Sequence, residues 1–76
     1  MILKFPNHFQ ERMLERGINI DHLKKAIKNP DSSKNVFEGR VEVTKKVEGK
    51  TIKVIYYKEG FRDRKNEYII ITAYYL

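Results

Sequence analysis

The sequence predicts an α+β domain: two N-terminal helices packed on one face of an antiparallel sheet of three to four strands. Three observations lead there. Two stretches before Asn29-Pro30 carry apolar residues at helical spacing. Beyond that break, apolar and polar residues alternate with the period of a strand. The chain then closes on "YIIITAYYL", a near-continuous apolar run that reads as a central strand covered on both sides.

The elements follow in order. "ILKF" (Ile2–Phe5) alternates and fits a short strand or an extended arm. Pro6 holds Phe5 extended and blocks an earlier helix start. Asn7 is suited to cap a first helix over 8–16, because its side-chain oxygen can accept from the free amides of the first turn. Phe9 and Met13, four apart, share a face of that helix. Gly17 suits a left-handed C-cap, with Arg16 beside the negative helix end. Asn19 caps a second helix over 20–29. Ile20, Leu23, Ala26 and Ile27 form its apolar stripe, and His22 falls on its polar side. Asn29-Pro30 ends it, and "DSSKN" reads as a turn. Arg40 to Val47 alternates, Gly39 marks a bulge or bend before it, and Glu48-Gly49 fits a two-residue hairpin. "KTIKVIYY" continues the sheet, and the charged loop Lys58–Glu67 leads to the last strand.

Seventy-six residues make one domain, spanning 1–76. A chain this short buries only about 60% of its unfolded surface, so a few large side chains must form the core. No cysteine is present, which removes disulfides, thiolate metal sites and a Cys nucleophile. Two histidines cannot complete a usual zinc site, and neither a Gly-rich phosphate loop nor a Ser nucleophile elbow occurs. No cofactor is expected. No stretch approaches the ~20 apolar residues of a membrane span, and no signal-peptide pattern opens the chain. The expectation is a cytoplasmic domain with no membrane partner. The net charge of +6 favours polyanions, either nucleic acid or an acidic protein.

His8, Arg12 and Arg16 recur at steps of four and form one stripe on the first helix. Histidine exchanges a proton near neutral pH. Arginine offers a planar, permanently charged fork that matches a phosphate. The same stripe also fits an ordinary solvated helix face, with Glu11 and Glu15 alongside. The loop after the third long segment holds Lys58, Arg62, Arg64 and Lys65 around Phe61, cations and an aromatic that can follow a backbone and stack a base. A solvated hairpin tip is the alternative. Thr72 is a hydroxyl among apolar neighbours in "IIITAY" and needs a partner if buried.

"HFQERMLERGI", "AIKNP" and "IIITAYY" together resemble a family of small uncharacterised prokaryotic domains with the pattern His-x3-Arg-x3-Arg-Gly-Ile at one end and Ile-x-Thr-x-Tyr at the other. The resemblance covers nearly the whole chain. That family is similar to RelE-like and BrnT-like toxins of the barnase–EndoU–colicin–RelE fold group, many of which are metal-independent ribonucleases. The resemblance implies a RelE-like fold. It implies His8, Arg12 and Thr72 as catalytic residues, and Arg16 and Tyr74 as further RNA-binding residues beside the loop cations. The implied partners are RNA or the ribosome and an acidic antitoxin protein. A non-catalytic nucleic-acid- or protein-binding module of the same fold is the alternative, since fold analogy alone does not carry activity.

Overall fold

The computed structural model describes residues 2–59 and 67–76. Strand β1 (Ile2–Lys4) leads into helix α1 (Asn7–Arg16), followed by α2 (Ile20–Lys28) and strands β2 (Ser32–Val36), β3 (Arg40–Val47), β4 (Lys50–Glu59) and β5 (Glu67–Tyr75). The strands form one sheet in the order β1-β5-β4-β3-β2. Both helices pack on one face of it, as the sequence predicts, but the sheet has five strands rather than three to four. It is also mixed: β1 runs parallel to β5, with Ile2 opposite Glu67 and Lys4 opposite Ile69, while every other pairing is antiparallel.

Two strands account for the difference. β2 overlaps the "DSSKN" segment, which the sequence predicts as a turn. All its residues but Val36 are exposed, so no alternation marks it; pairing with β3 makes it a strand, with Ser32 opposite Thr44 and Val36 opposite Arg40. β1 pairs with only three residues of β5. The middle strand is therefore β4, not β5, and β5 carries helices on one face only. Its apolar run has another source. β5 has one more residue than β4 across the Ile55/Tyr56 irregularity, which leaves Ile71 without an opposite partner.

The core lies between helices and sheet. Phe9, Leu23, Ala26 and Ile27 meet Val43, Val47, Ile52, Val54, Ile70 and Ala73. Leu23, Ile52, Val54, Ile70 and Ala73 are fully removed from water. The turns are as local chemistry demands. Glu48 and Gly49 both take positive φ, 50° and 81°, which suits the twist of a two-residue hairpin. Asn19 caps α2 by accepting the Asp21 amide at 2.8 Å. Asn7, by contrast, is the first helical residue of α1 and makes no cap. The Pro6 carbonyl accepts from Phe9 and Gln10 instead. Among the described residues no helix is long and apolar enough to cross a membrane.

Candidate functional site

Helix α1 is oriented by its aromatic side. Phe9 is 1% exposed and its ring stacks on Phe5 at 5.7 Å, while Met13 packs partly buried against the core. This turns His8 and Arg12 to solvent, where neither side chain makes a hydrogen bond or ion pair with another described residue. Arg16, one turn further, behaves differently. Gly17 ends the helix in the left-handed conformation at φ 62°. The Arg16 guanidinium then reaches β5, donating to the Ala73 carbonyl at 3.0 Å and lying 6.0 Å from the Tyr74 ring centroid. The Ala73 carbonyl is available because β1 pairs only with Glu67, Tyr68 and Ile69, so that among the described residues no strand lies beside the rest of that margin of β5. Arg16 thus blunts an open sheet edge while keeping its charge beside an aromatic ring.

The sequence-derived candidates divide on this geometry. Arg16 and Tyr74 are brought together. Thr72 stands on β5 next to buried Ala73, and alternation turns it to the face opposite the helices. His8 and Arg12 project from α1 on the helical side, so Thr72 does not join them in one pocket. Thr72 and Tyr74 are half-buried among their strand neighbours, so the hydroxyl is not sealed in the core. Lys58 lies elsewhere, its ammonium 5.7 Å from the Tyr68 ring, which packs toward the core. Phe61, Arg62, Arg64 and Lys65 lie outside the described residues.

The helix-free face of the sheet is polar and basic. Glu42 bridges two lysines, at 3.5 Å to Lys34 and 3.8 Å to Lys53. Beside them the Ser32 and Thr44 hydroxyls share a hydrogen bond of 2.6 Å. These residues, with Ser33 and Leu76, line a shallow depression of about 300 Å³. Register places Tyr74 opposite Lys53, one of the residues that line the depression. Cations with an aromatic platform suit a phosphate backbone and a stacked base. Sequence reading missed this face because Ser32 to Lys34 carried no strand signal.

His22 was placed on the polar side of α2 and is instead 7% exposed. Its Nδ1 lies 2.8 Å from the Tyr75 hydroxyl and its Nε2 2.9 Å from Glu48 Oε2. The His22 hydrogen bond holds the Glu48 carboxyl below its ordinary range, although that carboxyl is at the surface. One signal was present: His22 lies four residues before Ala26, which is a core position on the same helix. Among the described residues no three His, Cys, Asp or Glu side chains form a metal-binding group.

The two ends of the resemblance, the His-x3-Arg-x3-Arg-Gly-Ile helix and the Ile-x-Thr-x-Tyr strand, meet at the Arg16 corner. No curated protein and no solved structure matches the chain. A family model does: DUF4258, described as a domain of unknown function, over residues 5–75. That span runs from Phe5, before α1, to the end of β5, and the chain belongs to the DUF4258 family.

Proposed function

We propose that this domain is a metal-independent endoribonuclease of RelE-like type, working in the cytoplasm on single-stranded RNA and held in check by an acidic protein partner of the antitoxin kind. The observation that carries this reading is the Arg16 clamp on β5. It brings the end of the basic α1 stripe to Tyr74, whose register partner Lys53 lies on the cationic sheet face, and this juxtaposition supports a path for a polyanion.

The chemistry needs only residues of this chain. The RNA 2′-oxygen attacks the adjacent phosphorus, the P–O5′ bond breaks, and a 2′,3′-cyclic phosphate and a 5′-hydroxyl result. His8 takes the 2′-hydroxyl proton, and the leaving 5′-oxygen receives a proton from the Tyr74 hydroxyl or from water. Arg12 and Arg16 hold the phosphate oxygens as charge develops. Tyr74 stacks a base, and Thr72 on the same strand contacts the RNA from the helix-free face. RNA crossing the margin of β5 reaches both sets.

A second reading, binding without turnover, is favoured by one observation: no described residue orients the His8 imidazole. One experiment separates them. Purified wild type, His8→Ala and Arg12→Ala are incubated with RNA in EDTA and the product ends analysed, then the assay is repeated on translating ribosomes. Cleavage leaving cyclic phosphate, lost in His8→Ala, is the expected result. Salt-dependent binding with intact RNA in both settings selects the binding module.

A further inference from the structure

The connection between α1 and α2 is fastened to β5 at two points. Arg16 donates to the Ala73 carbonyl at 3.0 Å. Two residues along the strand, the Tyr75 hydroxyl accepts the Asn19 backbone N–H at 3.2 Å. The second fastening is itself held by the buried His22, at 2.8 Å, and His22 by Glu48, at 2.9 Å. Four parts of the fold meet in this chain: the α1–α2 connection, β5, α2 and the β3–β4 turn.

The hydrogen positions follow from valence. An ionised Glu48 carboxylate only accepts, so His22 Nε2 carries a hydrogen. In the neutral imidazole Nδ1 is then an acceptor, and Tyr75 donates to it. The Tyr75 oxygen keeps its capacity to accept from Asn19. Donation therefore runs in one direction, Asn19 to Tyr75 to His22 to Glu48, with every group satisfied. Protonation of His22 turns Nδ1 into a donor. The Tyr75 oxygen would then receive from both His22 and Asn19, and its own hydrogen would lose its acceptor in a half-buried site. The charged groups about this chain are Glu48 from the β3–β4 turn, Lys25 from α2 and Lys50 from β4, both of which act on Glu48, with Lys50 5.1 Å from the Tyr75 ring, and Asp21 precedes His22 in the first turn of α2.

We propose that Glu48, His22 and Tyr75 form a proton-sensitive positioning device, in which neutral His22 keeps Arg16 and Tyr74 together and protonation of His22 loosens that corner. All three act through Asn19 and the short connection that follows Arg16 at the end of α1. Giving the corner an RNA ligand rests on the proposed function above; the device itself does not.

The test is side-chain NMR on the full chain. Long-range proton–nitrogen spectra report the His22 tautomer, while the Arg16 Nε–H and Tyr74 ring signals report the corner, from pH 8 to pH 5. The expected result is His22 with its hydrogen on Nε2 at pH 8, and Arg16 and Tyr74 signals that shift with the His22 midpoint. In Tyr75→Phe the corner signals should sit at their acid positions throughout. His22→Gln, which can still donate to Glu48 and accept from Tyr75, should hold them at their alkaline positions and abolish the titration. Corner signals that ignore both the His22 midpoint and the His22→Gln substitution overturn the proposal, whether or not Tyr75→Phe folds. A fluorescent single-stranded RNA is titrated alongside. RNA bound by wild type and at least several-fold more weakly by Arg16→Ala ties the corner to RNA; failure to bind overturns the RNA reading alone and leaves the NMR result to decide the device.

Discussion

Replacing Arg16 by alanine measures how firmly α1 is tied to the sheet. The substitution removes one charged hydrogen bond, to the Ala73 carbonyl at 3.0 Å, and one cation–ring contact, to Tyr74 at 6.0 Å. A hydrogen bond with a charged donor contributes about 1.5–3 kcal/mol, and an exposed cation–π contact about 0.5–1 kcal/mol. Arg16 is exposed as a residue, and water can reach the margin of β5 once the guanidinium is gone, so the low end of both ranges applies. The expected loss is roughly 2 kcal/mol. For a domain of this size that lowers Tm by about 8–16 °C. Arg16→Lys keeps the charge without the planar fork and should recover less than half of the loss. Urea and thermal unfolding, followed by circular dichroism, measure both. Arg16→Ala should reduce the steepness of log affinity for single-stranded RNA against log salt by about 0.7, while Arg16→Lys, which keeps the charge, should leave it near the wild-type value. If Arg16→Ala unfolds at the wild-type midpoint, the guanidinium is solvated and the two ends of the candidate site are not joined.

Three further outcomes follow from the structure. Leu23→Ala empties a fully buried position and should cost about 2–5 kcal/mol, a large share of the roughly 4–11 kcal/mol expected of 76 residues; an unchanged urea midpoint would contradict the described core. Gly17→Ala meets no atom within 4 Å but must adopt φ 62°, so it should lose about 1–2 kcal/mol from backbone conformation alone, and a stabilised variant would show that α1 ends otherwise. Glu48 and Asp31 carry depressed carboxyl groups, Glu48 through the His22 hydrogen bond and Asp31 through the Lys46 amide at 2.8 Å and then Lys45. A carboxyl lowered in the folded state stabilises above its unfolded range, and that contribution disappears as pH falls through the folded value. Wild type should therefore exceed Glu48→Gln and Asp31→Asn in urea stability at neutral pH and converge with both in acid; a gap that persists well below the carboxyl range would rule out this linkage.

Asn19, Gly17 and Glu48-Gly49 act within a few residues of themselves, and each does what its local chemistry implies. Asn7 failed as a cap because the Pro6 carbonyl already served the first turn. Ser32 to Val36 became a strand through β3 alone, since an edge strand open on both faces has no reason to alternate. For the candidate site, the spacing of His8, Arg12 and Arg16 was legible, and so was the hydroxyl of Thr72. Their relation was not, because it depends on which way β5 faces and where β1 stops pairing. His22 was misplaced because a polar residue on a helix can be buried only by partners, and its partners lie 26 and 53 residues away.

By itself the sequence determined the α+β class, the two helices, the hairpin after β3, the basic balance and the α1 stripe. Each of these rests on periodicity, turn chemistry or net charge, which act over short stretches or over the chain as a sum. Only the tertiary structure decided that the sheet is mixed and five-stranded, that Arg16 reaches β5, that Thr72 faces away from His8, and that Glu48, His22 and Tyr75 form one chain. Those facts depend on contacts between residues far apart in sequence, and they are set by register and packing rather than by any local pattern of residues.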